Sequence, residues 1–80
     1  MVSGQLEELH LNGNHLRNEG VILVLRGVSV NKNLKMINLA DNQFNDDTLV
    51  MKAIETCWKK NKNLGWYNFA YNNLFDNNGI

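Results

Sequence analysis

The chain has 80 residues, with eight basic and eight acidic side chains, so its formal net charge at pH 7 is zero. A chain this short forms at most one small domain, which buries only about 60 to 65% of its unfolded surface and is marginally stable without neighbours. The single cysteine, Cys57, excludes an internal disulfide bond, and the balanced charge argues against electrostatic binding of nucleic acid or anionic membranes.

The sequence also bears on the compartment. The N-terminal stretch MVSGQLEEL contains neither the basic nor the apolar segment that a secretory signal has. The longest apolar run, VILVL at 21–25, is too short to cross a bilayer. Together these features predict a cytoplasmic, intracellular protein that binds neither membrane nor nucleic acid.

Three stretches share one pattern: LEELHLNGNHL (6–16), LKMINLADNQF (34–44) and LGWYNFAYNNL (64–74). The second begins 28 residues after the first, and the third 30 residues after the second. Each copy is apolar at its first, fourth, sixth and eleventh positions and has asparagine at its ninth. Five matching positions in three copies predict an internal repeat.

Each copy predicts one short strand followed by a turn. Leu9 and Leu11 are two residues apart, so on a strand they point to the same face, which we expect to be the core. A side-chain amide after the strand can donate to and accept from backbone groups of its own turn and of the next copy. We therefore predict an asparagine ladder, with one member in each copy: Asn14, Asn42 and Asn72.

The segments between the strands have helical patterns. In the first, an apolar stripe falls at helical spacing: Val21, Val24, Leu25 and Val28. Asn18 is predicted to be its N-cap, and Asn31 or Asn33 to close its end. In the second, Asp46 or Asp47 is the predicted N-cap, and the expected apolar residues are Leu49, Val50, Ala53, Ile54, Cys57 and Trp58. A third helix is predicted to begin near Asn77.

The pattern L-x-x-L-x-L-x-x-N-x-L, with other apolar residues at some leucine positions, resembles the leucine-rich repeat. The spacing is similar to that of the ribonuclease-inhibitor-like subclass, in which a helix follows each strand. The resemblance implies an α/β fold, a right-handed β-α solenoid (a horseshoe segment) with short parallel strands on the concave face and helices on the convex face. Residues 1–80 would be one segment of about two and a half repeats, starting near residues 6, 34 and 64.

Two features of this segment affect the expected packing. Aromatic residues replace aliphatic ones at Tyr67 and Phe69, so the third copy is expected to pack more loosely or to bulge. No capping unit is evident at either end of the sequence. Because repeat proteins need such caps, we expect either a fragment or a short relative of longer repeat proteins, with open ends that are covered by further repeats or by a partner.

Strand side chains that point away from the core would form a grid on the concave face. Trp66 and Met36 are neighbours in this grid, and Tyr71 lies just beyond it. Tryptophan and tyrosine are frequent anchors at protein interfaces. The residues predicted to bind a partner protein are Glu8, His10, Asn12, Met36, Asn38, Trp66, Asn68 and Tyr71.

Three other motifs could carry chemistry, and each has a simpler interpretation. DNQFNDD (41–47) offers oxygen ligands, but Asp46 occupies the glycine position of a calcium loop and Lys52 its final acidic position, so a turn with a helix cap is favoured. Cys57 could act with a histidine, yet it falls on an apolar helix face. WKKNK (58–62) could contact nucleic acid, but a solvated helix end with Trp58 packed beneath it is favoured.

We therefore expect no catalytic residue, no cofactor and no metal, and the chain is not expected to be an enzyme. The main functional hypothesis is a non-catalytic protein-interaction module. A second comes from NGNHLRNEG and INLADNQF, which are similar in style to the Ran GTPase-activating proteins; this resemblance implies stimulation of a small GTPase. A third is a piece of a larger scaffold, either cytoskeletal or ciliary, or part of a nucleotide-binding immune receptor.

Overall fold

The structure is a computed structural model that describes residues 6–74. Strands and helices alternate along this range. They are β1 (Glu8–His10), α1 (Arg17–Val28), β2 (Met36–Asn38), α2 (Thr48–Lys60) and β3 (Trp66–Asn68). We call each repeat unit a coil. Coils 1, 2 and 3 begin at residues 6, 34 and 64, two residues before β1, β2 and β3. The predicted third helix near Asn77 lies outside the described residues.

The three strands form one sheet in the order β1-β2-β3, and both pairs are parallel. Glu8 pairs with Met36, and Met36 pairs with Trp66, so the register follows the 28- and 30-residue spacing of the repeat. Parallel neighbours need a crossover between them, which α1 and α2 provide. The two helices pack against each other in a second layer.

The core lies between the sheet and the helices, and its burial depends on having a neighbour on both sides. In coil 2 the four apolar repeat positions are fully buried: Leu34, Ile37, Leu39 and Phe44. In coil 1 the equivalent positions are exposed or half-buried: Leu6, Leu9, Leu11 and Leu16. In coil 3 Leu64 is buried, but three positions are half-buried: Tyr67, Phe69 and Leu74. One coil alone therefore cannot bury its own apolar side chains.

The aromatic residues of coil 3 contact the core. The ring of Phe69 meets the ring of Phe44 edge to face, with centroids 5.9 Å apart, and lies 5.6 Å from that of Tyr67. Such edge-to-face pairs are favourable because the positive ring edge faces the negative ring face. The aromatic residues that occupy aliphatic repeat positions in the third copy thus extend the core towards β3.

The first helix begins differently from the prediction. Asn18 is not its N-cap: α1 begins at Arg17, and the apolar residue Leu16 occupies the cap position. The Asn18 side chain instead reaches coil 2, where its amide donates to Asn45 Oδ1 at 3.0 Å and accepts from the Asn45 N–H at 2.9 Å. The helix ends at Val28, and Ser29 rather than Asn31 or Asn33 is its C-cap.

The second helix agrees with the prediction at its start. Asp47 is the N-cap, and its carboxylate accepts a hydrogen bond from the Leu49 N–H at 2.9 Å. Two residues expected on its apolar face lie outside the core, because Leu49 is 64% exposed and Trp58 is 61% exposed. In the part of the chain described, 6–74, no helix has the length and apolar character needed to cross a membrane.

Matched leucine substitutions test whether core burial depends on neighbouring coils. Leu39 and Leu11 occupy the same repeat position, but only Leu39 is fully buried. We expect Leu39→Ala to lower the free energy of unfolding by about 3 to 4 kcal/mol, and Leu11→Ala by about 1 to 2 kcal/mol. Urea unfolding followed by circular dichroism measures both. Equal losses would contradict a core that is completed by stacking.

Candidate functional site

The candidate site is the outward side of the sheet, which we call the strand face. Its nine side chains stand in three rows across the strands: Glu8, Met36 and Trp66; His10, Asn38 and Asn68; and Asn12, Ala40 and Ala70. The strand registers bring together the members of the first two rows. Successive side chains of a strand point to opposite faces of the sheet, so the residues that alternate with the core residues lie on the outward face.

The first row changes from charged to apolar across the sheet. Glu8 is exposed, Met36 is half-buried and Trp66 is 50% exposed. Next to Glu8, the Nε2 atom of His10 lies 3.2 Å from the carboxylate, in a solvent-exposed pair. Exposed pairs of this kind contribute little to stability. The indole of Trp66 is therefore the main apolar surface that this row offers to a partner.

The second row offers hydrogen-bond donors. The side-chain oxygens of Asn38 and Asn68 accept from the N–H groups of Ala40 and Ala70 at 3.0 and 2.9 Å, which closes a local turn after each strand. Among the described residues, neither side-chain NH₂ group has a hydrogen-bond partner. Both asparagines can thus donate to a carbonyl or carboxylate above the sheet.

Tyr71 lies beside the strand face with a left-handed backbone conformation. Its backbone φ is 61°, in the left-handed region, and its side chain is 87% exposed. The equivalent residues of the other coils are Gly13 at 74° and Asp41 at 57°, which are types that tolerate this region. A bulky residue there costs about 1 to 3 kcal/mol. His15, Arg17 and Gln43 also have positive φ, at 53°, 61° and 61°, so this backbone conformation alone does not distinguish Tyr71.

The asparagine ladder holds the turn that contains Tyr71. The amide of Asn72 donates to Phe69 O at 3.0 Å and to Ala70 O at 3.2 Å, on the N-terminal side of Tyr71. Its oxygen accepts from the N–H groups of Asn42 and Phe44 in coil 2 at 2.8 and 3.3 Å. These bonds fix the backbone on both sides of the strained residue.

Asn42 occupies the same place in coil 2 and is fully buried. Its oxygen accepts from the N–H groups of Asn14 and Leu16 at 3.0 and 3.2 Å. Its NH₂ group donates to Leu11 O at 2.9 Å and to two carbonyls of its own turn. Asn14, in contrast, is exposed, and its side-chain NH₂ group donates only to carbonyls of coil 1 in the described part of the chain. The ladder thus links each coil to the coil before it, and the predicted bonds to the next copy were wrong in direction.

A second asparagine position, not singled out from the sequence, has a similar role before the strands. Asn61 is buried at the C-terminal end of α2, and its NH₂ group donates to Val28 O at 3.0 Å and Asn31 O at 2.6 Å in coil 1. Asn31 stands 30 residues earlier, and its oxygen accepts from the Asn33 N–H, as that of Asn61 does from Asn63. The shared offset was the signal that could have identified it.

The possible thiol nucleophile is unsuited to catalysis. Cys57 is fully buried, and burial raises the pKa of its thiol, while a hydrogen bond from Tyr67 lowers it by less. The Tyr67 hydroxyl lies 3.9 Å from the Cys57 sulfur, and its own pKa is raised by burial and by this contact. Both groups are therefore neutral at pH 7. His10 and His15 are exposed and do not hydrogen-bond the sulfur.

The oxygen-rich stretch 41–47 serves the fold. Asn42 belongs to the asparagine ladder, and Asp47 caps α2. Within residues 6–74 no three His, Cys, Asp or Glu side chains are grouped closely enough to hold a metal ion.

The stretch WKKNK also differs from the prediction. Trp58 is not packed beneath the helix end, since its side chain is 61% exposed and Lys62 Nζ lies 5.5 Å from its ring centroid. Lys59 pairs with Glu55 one turn earlier at 3.3 Å. Trp58 therefore makes a solvent-exposed cation–π contact.

Comparison with known proteins gives one similarity. Over 57 residues, which are 69% of this chain, the sequence is 40% identical to the mouse (Mus musculus) protein NLRC5. The aligned part is 3% of NLRC5, so the chain spans a small portion of that protein. No family model matches the chain, and no solved structure matches it. The similarity, although short, supports a protein of the leucine-rich repeat type.

The asparagine ladder predicts unequal effects of one substitution at two equivalent positions. Asn42→Ala leaves two N–H groups and a set of carbonyls without their partner, so we expect a loss of about 3 kcal/mol or more in unfolding free energy. Asn14→Ala is expected to cost about 1 kcal/mol or less, since Asn14 is exposed. Chemical unfolding measures both, and similar midpoints for the two variants would contradict the role given to Asn42.

The strain at Tyr71 predicts that two truncations differ. Tyr71→Gly removes the side chain and permits positive φ, so we expect the protein to gain about 1 kcal/mol in stability. Tyr71→Ala removes the ring but keeps a Cβ atom in the strained backbone, so we expect no such gain. Thermal and urea unfolding of both variants provide the measurement. A gain of equal size in both would show that the ring, not the backbone, is unfavourable.

Proposed function

We propose that the chain is a segment of a leucine-rich repeat solenoid that binds another protein through its strand face, without catalysis. In this solenoid, the parallel strands would form the concave side and the helices the convex side of a right-handed β-α horseshoe of the ribonuclease-inhibitor-like subclass. What supports it is the repeated register and the recurrence of the same asparagine bonds in consecutive coils. Stacked coils of this kind naturally present extended binding surfaces.

The observation that carries the proposal is the pair of exposed aromatic residues at one edge of the sheet. Trp66 is 50% exposed on β3, and Tyr71 is 87% exposed in a strained turn that starts three residues after the strand ends. Large, exposed aromatic side chains are well suited to anchor a partner protein. Desolvation of the two rings would supply most of the affinity.

The rest of the strand face determines what kind of partner surface fits. Met36 beside Trp66 extends the apolar area, and flexible methionine adapts to irregular partners. The NH₂ groups of Asn38 and Asn68 select carbonyl or carboxylate oxygens. At the β1 edge, Glu8 favours a basic group. A partner would therefore place an apolar segment over coil 3 and a basic side chain over coil 1.

The similarity to NLRC5 favours a second possibility within the same class, a repeat segment of a larger immune-receptor scaffold. The strand face would then bind either a ligand or another part of that scaffold. The Ran-type alternative has weaker support. It rests on a similarity in the style of two segments, and Arg17, the arginine of the segment NGNHLRNEG, is exposed at the start of α1. Acceleration of GTP hydrolysis by a small GTPase would support that alternative.

Two exposed tryptophans allow a matched test of the strand face. Trp66 lies on the strand face, while Trp58, of similar exposure, lies on α2. We expect Trp66→Ala to weaken binding to a captured partner by more than about 1 kcal/mol, roughly fivefold in Kd, and Trp58→Ala to leave it unchanged. Affinity capture with quantitative mass spectrometry, followed by calorimetry on purified partners, provides the measurement.

The fold of both variants is checked by circular dichroism, since both side chains are largely outside the core. If Trp66→Ala captures the same proteins with the same affinities as the parent chain, the strand face is not the binding surface. If Trp58→Ala alone loses them, the partner binds the helix layer instead.

A further inference from the structure

The helix layer has a groove that the strand-face proposal does not use. It runs between α1 and α2 and has a volume of about 420 Å³. Its lining includes Ile22, Arg26 and Val30 from α1 and the residues after it, and Leu49, Lys52 and Lys60 from α2. We name this the helix groove.

The charged side chains that line the helix groove are all positive. Three cations line it, Arg26, Lys52 and Lys60, and no Asp or Glu does. The ion pairs of the described residues involve His10, Lys35 and Lys59, so these three cations have no carboxylate within 4.0 Å among residues 6–74. A chain with zero net charge therefore carries a local excess of positive charge on this surface.

Helix electrostatics explain only part of this arrangement. Arg26 is in the last turn of α1 and Lys60 is in the last turn of α2, where positive charge is favourable next to the free carbonyls. Lys52 is in the N-terminal half of α2, where the helix dipole gives a cation no advantage. Lys52 lies between two apolar residues of the groove, Leu49 and Ala53, so the helix dipole does not account for its position.

Apolar side chains complete the helix groove. Leu49 and Val30 are each 64% exposed, and Ile22 is half-buried. Single exposed apolar residues are ordinary on protein surfaces. Here, however, they share one concave surface with three cations that have no carboxylate neighbour. The surface matches a ligand that is apolar along one side and negatively charged along its flanks.

We propose that the helix groove binds an amphipathic α-helix of a partner protein that carries glutamate or aspartate beside its apolar stripe. Residues 49 to 60 of α2 extend about 16 Å, which accommodates about three turns of an incoming helix. A helix lying between two others packs its ridges into their groove and presents apolar residues at i, i+3, i+4 and i+7. Its carboxylates then face Arg26, Lys52 and Lys60.

A helix is favoured over an extended segment because the groove walls are helices. The backbone groups of α1 and α2 are already hydrogen-bonded within each helix, so they offer no edge to which a strand could add. The interaction would depend on apolar contact and on charge, and both belong to side chains. It would be independent of the strand face, which lies on the other side of the core.

The test uses the full 80-residue chain and a fluorescein-labelled peptide of about 14 residues, with leucines at i, i+3, i+4 and i+7 and glutamates on both flanks. Fluorescence anisotropy measures the Kd, and ¹⁵N NMR chemical shifts identify the contact surface. We expect binding that weakens with added salt and shifts that cluster around Lys52 and Lys60. A scrambled peptide of the same composition and a lysine-for-glutamate peptide are expected to bind at least about tenfold more weakly.

The adjacent residues Lys59 and Lys60 give a matched pair. Lys60→Glu and Lys59→Glu change the net charge equally, but only Lys60 lines the helix groove. We expect Lys60→Glu to weaken peptide binding about tenfold or more and Lys59→Glu by less than about threefold. Leu49→Ser tests the apolar part and is also expected to weaken binding, while circular dichroism verifies that each variant is folded.

Four outcomes would overturn the proposal. The first is equal weakening by Lys59→Glu and Lys60→Glu, which would indicate general electrostatic attraction. The second is equal binding of the scrambled peptide, and the third is a set of NMR shifts on the strand face. The fourth is tighter binding to phosphatidylserine vesicles than to the glutamate peptide, which would make the helix groove a lipid surface.

Discussion

The fold depends on one buried side-chain amide, that of Asn42. Strands of three residues make few hydrogen bonds to each other, and the chain turns sharply after each of them, so the turns contain backbone N–H and C=O groups that the sheet leaves unpaired. Asn42 supplies both an acceptor and donors at that point, and its partners belong to coil 1 as well as to its own turn. Without it, a buried turn would retain unpaired polar groups, each of which costs about 1 to 3 kcal/mol.

The same amide sets the arrangement of the core. Because Asn42 and Asn72 each bond to the preceding coil, successive strands are held in register, and Leu11, Leu39 and Phe69 are stacked one over another. Stacking buries the middle residue of such a column completely and the end residues only partly. Asn61 repeats the arrangement at the other end of the strands, where it bonds to backbone carbonyls of coil 1. Polar links at both ends thus support an apolar core between them.

Sequence periodicity was sufficient to place the strands and to identify Asn42 and Asn72 as links between coils, because the repeat determines which residues become neighbours in space. The same role was wrong for Asn14, whose side chain bonds only within coil 1 among the described residues. Periodicity was insufficient for the helix boundaries. Asn18 has the chemistry of an N-cap, yet its side chain bonds to Asn45 of the next coil, a tertiary contact that local rules do not contain. Leu49 and Trp58 were predicted to lie in the core because an apolar stripe indicates which side of a helix faces the core. It does not indicate how much of the helix surface is buried. One α-helix in contact with the sheet and with a single neighbouring helix leaves part of that surface open.

Part of the candidate site was also accessible from the sequence. The alternation of the strands predicts that Trp66 and Met36 point away from the core and lie side by side, and the register places them so. The conformation of Tyr71 was not predicted, although aligning it with Gly13 and Asp41 would have suggested a left-handed backbone.

The strain at Tyr71 is tolerated because of the asparagine ladder. A tyrosine in the left-handed region would relax in a free loop, since nothing would keep it there. Here the amide of Asn72 bonds to the two carbonyls before Tyr71, and its oxygen bonds to N–H groups of coil 2. The turn cannot relax without breaking these bonds, and their combined free energy exceeds the cost of one unfavourable φ angle. The interaction that stacks the coils therefore also keeps an aromatic side chain exposed beside the strand face, which links the stability of the repeat to the surface that we propose for binding.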